Sequence, residues 1–417
     1  MEIDRKTSIM HNIHYFIKWT VLSVITGIVV GAVGAVFGHG VVIATNIWQA
    51  HYWTVFLMPV CGLVIVGLYK LFREEKNRGT NMVLDSISSG EEITVATGPL
   101  IFVSSILSHM VSASAGREGA ALQIGGSMGT LIARLVHLDE NDKKIAVMCG
   151  MSACFSALFG TPLAAAVFSM EVVSIGLMYY AALVPCVFAS FIGAAVSFHF
   201  GLAPERYDIG AFMEFSIPGA ALAVLTGILC AVVGILFCSS LHKAGHAYRK
   251  YFPNPYIRVL VGSGLYILLT LIFNDRSYNG GGLHLIEKCF EGEIVPCYAF
   301  LMKIVFTSVA LEAGFRGGEI VPTLCIGATF GATVAALLGM PVGLCAAMGM
   351  VCLFVSVTNC PVSTILMAFE LFGFEAMPYF AIAIAVSFTL SGYYGLYSSQ
   401  RFVYSKIRAE HINRQTH

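Results

Sequence analysis

The chain has 417 residues, of which 57% are hydrophobic and only 12% are charged, and its mean hydropathy is +0.79. Soluble domains carry about 25% charged residues, so this composition excludes a soluble fold. The formal net charge is zero, which gives no indication of a nucleic-acid partner. The twelve cysteines are scattered through apolar segments without a CxxC pair, so we expect no disulfide, no metal site and no cofactor.

Apolar stretches occupy residues 19–47, 53–71 and 95–111 and then continue almost without a break to residue 394. A spanning helix needs roughly 20 apolar residues, and several of these stretches are too short or too rich in glycine to span fully. The pattern predicts about ten to fourteen helical segments in an all-α polytopic membrane protein. The first stretch is too long for a signal peptide and lacks a cleavage site, which indicates a retained helix.

Basic residues precede the first apolar stretch, follow the second, and close the chain. Cytoplasmic loops carry an excess of Lys and Arg. We therefore expect both termini to be cytoplasmic, in a plasma membrane such as the inner membrane of a bacterium. The residues concerned are Arg5, Lys6, Lys70, Arg73, Lys76, Arg78, Arg401, Lys406, Arg408 and Arg414.

An internal duplication relates the two halves of the chain. Residues 124–129 (I-G-G-S-M-G) are echoed by residues 326–331 (I-G-A-T-F-G), and residues 79–85 are echoed by residues 281–287 at the same offset of 202 positions. The pattern predicts a first repeat over about residues 15–205 and a second over about residues 212–400. Transporters built from such repeats bind their substrate at the repeat interface near the membrane midplane.

Ser127 lies in a G-x-S-x-G pattern, which is also typical of a serine hydrolase nucleophile. An intramembrane serine protease is therefore an alternative function. The second repeat has Thr329 in place of the serine and keeps the glycines. Small residues that let helices approach closely explain both copies, so we favour a packing role.

Both halves contain a glycine-rich break that opens an apolar helix, at residues 115–119 and at residues 314–322. Glycine permits the backbone angles of an unwound segment, and the helix start that follows leaves free N–H groups with partial positive charge. Such groups bind an anion without a full positive charge in the membrane. Residues 79–81 add a third start, with Thr80 as the expected N-cap.

Glu118 and Glu319 stand at matching breaks of the two repeats. Charged residues at membrane depth are costly and indicate function. A carboxylate beside an anion site is repelled when ionised and tolerated when protonated, which makes it suited to carry a proton. The alternative for each glutamate is a structural ion pair, with Arg117 and Arg316 respectively.

These loops resemble the CLC family of chloride channels and proton-coupled anion antiporters. The family's signature loops G-S-G-I-P, G-K/R-E-G-P and G-x-F-x-P have counterparts at residues 79–83, 116–120 and 318–322. The resemblance implies a CLC-type inverted-repeat fold with discontinuous and tilted helices, a homodimer with one pore per subunit, and Glu118 as the gating residue. We expect a single membrane domain over residues 1–417 without a cytoplasmic regulatory domain.

The departures from the family pattern look like its fluoride-exporting branch. The first loop reads G-T-N-M-V, Ala120 replaces a proline, and Glu319 replaces an apolar residue. Proton-coupled chloride exchangers carry an internal glutamate where this chain has Val172, and the fluoride branch lacks it too. Val321 stands where members of that branch carry Thr, which leaves a chloride channel or chloride/proton exchanger as the alternative.

The resemblance implies a fluoride/proton antiporter, not an enzyme, that exports fluoride and contacts membrane lipid. Glu118 would be gate and proton carrier, and Glu319 a second proton station or a residue that tunes the field. The family's pore tyrosine matches Tyr397 best, with Tyr404 as the rival. The expected anion-binding residues are Thr80, Asn81, Gly116, Arg117, Gly119, Gly318, Ile320, Val321 and Tyr397.

Overall fold

The computed structural model describes residues 5–210 and 213–416, with side chains from residue 9 onward. Residue 212, where the second repeat is predicted to begin, and the side chains of Arg5 and Lys6 lie outside the described part. Sixteen α-helices are found among the described residues, more than predicted. Two of them, α3 and α11, have only nine and eight residues and are much shorter than the apolar stretches on which the predicted number is based. The helix start predicted at residues 79–81 is that of α3.

Eight helices precede residue 200 and eight follow residue 216. The first eight are α1 (Arg5–Ala50), α2 (Met58–Leu71), α3 (Thr80–Ser88), α4 (Thr97–Met110), α5 (Glu118–Leu135), α6 (Glu140–Phe159), α7 (Pro162–Glu171) and α8 (Leu183–His199). The second eight are α9 (Ile217–Tyr251), α10 (Pro255–Phe273), α11 (Leu283–Phe290), α12 (Ala299–Ala313), α13 (Ile320–Leu338), α14 (Val342–Thr358), α15 (Pro361–Phe372) and α16 (Met377–Leu390).

Within the described ranges, six helical segments are long and apolar enough to cross a membrane, in the regions of α1, α2, α8, α9, α10 and α13. The other apolar helices have 10–17 residues, less than a full span requires. Many helices must therefore begin or end inside the membrane, where their exposed backbone groups are buried in protein.

The repeated glycines bring helices into backbone contact. A Cβ atom at Gly125 of α5 would lie 2.3 Å from the carbonyl oxygen of Gly150 in α6, and one at Gly327 of α13 would lie 2.4 Å from that of Gly349 in α14. Only glycine allows these approaches, and both halves use it in the same way.

Ser127 has a packing role in this arrangement. Its hydroxyl accepts a hydrogen bond from the Gly98 backbone N–H at 3.2 Å. Its counterpart Thr329 donates to the Cys325 carbonyl at 2.8 Å. Both hydroxyls are engaged with backbone groups, which disfavours the protease alternative.

Two short helices, α7 and α15, stabilise each other through their glutamates. Glu171, the tenth residue of α7, accepts hydrogen bonds from the N–H groups of Val362 and Ser363 at 3.1 and 2.9 Å. Glu370, the tenth residue of α15, accepts from Leu163 and Ala164 at 2.8 and 2.9 Å. Each carboxylate thus binds the partially positive start of the other helix.

A small three-stranded sheet follows the last helix. Strand β2 (Arg401–Tyr404) pairs in parallel with β1 (Ser174–Ile175) and antiparallel with β3 (His411–Gln415). Just before β2, the Gln400 amide donates to the carbonyls of Val172 and Thr358 at 2.9 and 2.7 Å. The C-terminal segment is therefore tied to both halves of the helical core.

Candidate functional site

Two glycine-rich loops cross at the centre of the molecule. Gly116 and Gly318 exchange backbone hydrogen bonds of 2.6 Å in both directions, directly before α5 and α13 begin. A Cβ atom at Gly318 would lie 2.3 Å from the Gly119 nitrogen. Glycine is required for this crossing, which brings the N-termini of α5 and α13 together.

Glu118 lies at this crossing and is 0% exposed. Its Oε1 accepts a hydrogen bond from Arg117 Nε at 3.3 Å, while Oε2 has no hydrogen-bond partner among the described residues. A Cβ atom at Gly116 would lie 2.8 Å from that Oε2 and 3.1 Å from the Val321 nitrogen. The carboxylate of one repeat therefore lies close to the helix start of the other.

Glu319 is the N-cap residue of α13, and its Oε2 is likewise without a hydrogen-bond partner in the described ranges. The alternative for Glu319, an ion pair with Arg316, is not found in the described part of the chain, because the Arg316 guanidinium lies over the Tyr69 ring at 4.2 Å. The ion pair considered for Glu118 is present, with Arg117.

Tyr397 and Tyr404 differ sharply in position. Tyr397 is buried, its hydroxyl has no partner among the residues described, and Glu319 and Glu118 are among its electrostatic neighbours. Tyr404 is 45% exposed on β2. Of the two candidates, the structure places Tyr397 beside the glutamates.

The start of α3 differs in detail from the prediction. The N-cap is Gly79, with a φ of +63°, because that left-handed geometry suits glycine; the expectation for Thr80 was wrong. The Thr80 hydroxyl faces the Gly119 carbonyl at 3.5 Å. The Asn81 side-chain oxygen accepts from the Ser399 N–H at 2.9 Å, so Asn81 fastens the C-terminal segment to α3.

Of the remaining predicted residues, Gly116, Arg117, Gly119 and Gly318 form the crossing itself. Ile320 and Val321 are buried in the first turn of α13, where backbone N–H groups have no partner within the helix. All the predicted site residues thus lie in α3, α5, α13, the loops that open them, or the segment after α16.

Sequence reasoning missed the main partner of Arg117. The guanidinium Nη2 donates to Glu205 Oε1, and the Tyr207 hydroxyl donates to Glu205 Oε2 at 3.3 Å. Glu205 lies 88 positions along the chain in the polar segment between the halves. No local sequence signal connects it to the site.

A cavity of about 120 Å³ reaches the crossing beside Gly116, Arg117 and Val321. None of the described residues that line it is acidic, and His109 and His284 are among them. A wider cavity of about 310 Å³ shares His284 with it. The narrower cavity therefore presents no acidic side chain to an approaching anion, whereas the wider one is lined by both Asp275 and Arg276. No cluster of metal-binding side chains is found among the described residues.

Known proteins share this architecture. The chain is 34% identical over 400 residues to the chloride/fluoride channel protein of Pseudomonas syringae pv. tomato, covering 94% of this chain and 88% of that one. The crystal structure of a CLC-type fluoride/proton antiporter matches with a TM-score of 0.89 at 30% identity, covering 92% of this chain and 97% of that chain. A slow cyanobacterial Cl−/H+ antiporter gives 0.76 at 19% identity, covering 89% and 94%, which supports the fold alone.

The crossed loops and membrane helices define an ion-transport protein with a transporter fold rather than a catalytic one. A family model described as voltage gated chloride channel matches residues 61–392. The chain belongs to this CLC family, as its three loops predicted.

Proposed function

We propose that the protein is a fluoride/proton antiporter that exports fluoride from the cytoplasm, with Glu118 as gate and proton carrier. The observation that carries the proposal is the buried Glu118 carboxylate, which lies between two helix starts. An ionised carboxylate there occupies the place in which the partial positive charge of both helices favours an anion. A protonated carboxyl group is neutral, so it is no longer held at the helix starts and an anion can bind there instead. Protonation of Glu118 is thereby coupled to anion binding.

Both the similar proteins and the hydrogen-bond donors of the proposed site support fluoride as the transported anion. It is small and strongly hydrated, so its water must be replaced by close donors. The Tyr397 hydroxyl and the N–H groups of Ile320 and Val321 are such donors, and Thr80 and Asn81 extend the set. The chloride/fluoride channel protein and the fluoride/proton antiporter are 34% and 30% identical to this chain, whereas the Cl−/H+ antiporter is 19% identical. Chloride transport on the same fold is the rival.

Efflux from proteoliposomes tests the anion. Purified protein is reconstituted, and fluoride and chloride efflux are recorded with ion-selective electrodes. We expect fluoride efflux to be much faster than chloride efflux and to drive proton movement in the opposite direction. Equal fluxes of the two anions would assign the chain to the chloride branch.

Proton coupling is tested with Glu118→Gln in the same vesicles. The amide cannot carry a proton, so fluoride-driven proton movement should fall to the level of protein-free vesicles. Glu92→Gln is the matched control, because Glu92 is an exposed carboxylate, and should couple normally. Persistent proton pumping by Glu118→Gln would refute Glu118 as the carrier.

The assembly and orientation belong to the same proposal. We place the protein as a homodimer in the bacterial inner membrane, in contact with lipid and with both termini in the cytoplasm. The whole chain forms one membrane domain of two repeats. The family supports the dimer, and the basic residues support the orientation.

A further inference from the structure

We propose that Glu205 sets the pH range of transport by holding the Arg117 guanidinium in an ion pair and so limiting its pull on Glu118. This inference rests on the role proposed for Glu118. Arg117 is shared between two carboxylates: Nη2 donates to Glu205, and Nε donates to Glu118 Oε1 at 3.3 Å. The Glu118 contact is at the long limit of a hydrogen bond, so Glu205 is the stronger partner.

Glu205 is fixed in place from both sides. Its backbone N–H donates to the Phe159 carbonyl at 3.1 Å, and that of Tyr207 donates to the Leu371 carbonyl at 3.0 Å. The Tyr207 ring stacks on Phe290 with a centroid distance of 5.0 Å. The carboxylate therefore belongs to a built structure in which the side chains of Arg117 and Glu205 are only 11% and 13% exposed.

The charges decide the direction of the effect. With Glu205 ionised, the Arg117 charge is balanced, and a protonated Glu118 leaves the group neutral. Without Glu205, the unbalanced guanidinium favours ionised Glu118 and opposes its protonation. Other titratable groups that face this cluster are His109, His284 and Tyr207 near Arg117, Glu287 near Tyr207, and Glu319 and Tyr397 near Glu118; all remain in the variants below.

The test is the pH dependence of anion efflux from proteoliposomes, recorded for wild type and three variants. Glu205→Gln should move the pH of half-maximal efflux to a lower value by about one unit. Arg117→Gln should move it to a higher value. The double variant removes the pair as a neutral unit and should return the midpoint close to that of wild type.

Asp208→Asn is the matched control, because it removes the same charge three residues along the segment and should leave the midpoint unchanged. A purely structural role of the pair would not give shifts of opposite sign that cancel. An unchanged or alkaline midpoint for Glu205→Gln, or a double variant that keeps the acidic shift, would overturn the proposal.

A second variant of Glu205 and a proton measurement complete the test. If Glu205→Gln does not purify as folded protein, Glu205→Asp withdraws the carboxylate from Arg117 while keeping the charge. It should give a smaller shift of the same sign, and the absence of any acidic shift would overturn the proposal. If the wild-type protein moves no protons, the proposed antiporter function is refuted. The pH midpoint of anion efflux can still be measured in that case, and it reports the effect of Glu205 separately.

Discussion

At the scale of single residues, the Tyr397 hydroxyl is a buried donor beside two glutamates. A hydrogen bond to a charged group contributes about 1.5–3 kcal/mol, and 1.4 kcal/mol corresponds to a factor of ten. We therefore predict that Tyr397→Phe weakens the apparent fluoride affinity about tenfold or more, measured as the fluoride concentration for half-maximal transport.

Tyr404→Phe is the control for this change, because Tyr404 is largely exposed on β2 and loses the same hydroxyl. It should transport like wild type. An equal loss in both variants, or a normal affinity in Tyr397→Phe, would show that the Tyr397 hydroxyl does not bind the anion.

Residue-level prediction from sequence was possible where a side chain was unusual in its own surroundings. Glu118 and Glu319 could be found because a carboxylate in an apolar membrane segment is energetically costly and therefore indicates a function. Glu205 could not be found, since an acidic residue in a polar segment is ordinary until folding brings it to Arg117. The partner of Arg316 was missed for a similar reason, because the Tyr69 ring comes from α2.

At the scale of elements, the crossing of the two loops depends on glycine at position 318. A methyl group there would meet the Gly119 backbone at 2.3 Å, and backbone cannot move aside as a flexible side chain can. We predict that Gly318→Ala abolishes fluoride transport, measured by efflux from proteoliposomes, by forcing the starts of α5 and α13 apart.

Gly264→Ala in α10 is the matched control for this prediction. A Cβ atom at Gly264 meets no atom within 4 Å, so this variant should fold and transport normally. Transport by Gly318→Ala at the wild-type rate would mean that the close crossing is not needed for function.

The long helices could be predicted from sequence because their apolar runs approach or exceed the membrane thickness. The extents of the short helices α3 and α11 could not, since eight or nine residues are too few to be recognised as membrane spans; only the start of α3 was predicted, from residues 79–81. The C-terminal sheet was also missed, because its strands have only two to five residues and β1 pairs with β2 across more than two hundred positions.

At the scale of the whole molecule, the orientation in the membrane can be tested through Cys297. It is the exposed cysteine of the twelve, while the other eleven are buried. The basic residues Lys243, Arg249 and Lys250 near the end of α9 predict a cytoplasmic position for that end. Helix α10 then crosses back, so Cys297, in the loop before α12, should face outside.

A membrane-impermeant maleimide should therefore label the protein in right-side-out spheroplasts and not in sealed inside-out vesicles. Cys297→Ser should remove the labelling. Preferential labelling of inside-out vesicles would reverse the proposed orientation and place both termini outside.

The mutual contacts of α7 and α15 bear on how a duplicated chain can arise. Glu171 and Glu370 occupy the same position in their helices, and each binds the helix start of the opposite repeat. In a symmetric pair of identical single repeats, one glutamate codon would supply both contacts. A single coding change would then stabilise the pair twice, whereas in the fused chain each contact can be lost separately and each half depends on a residue encoded in the other.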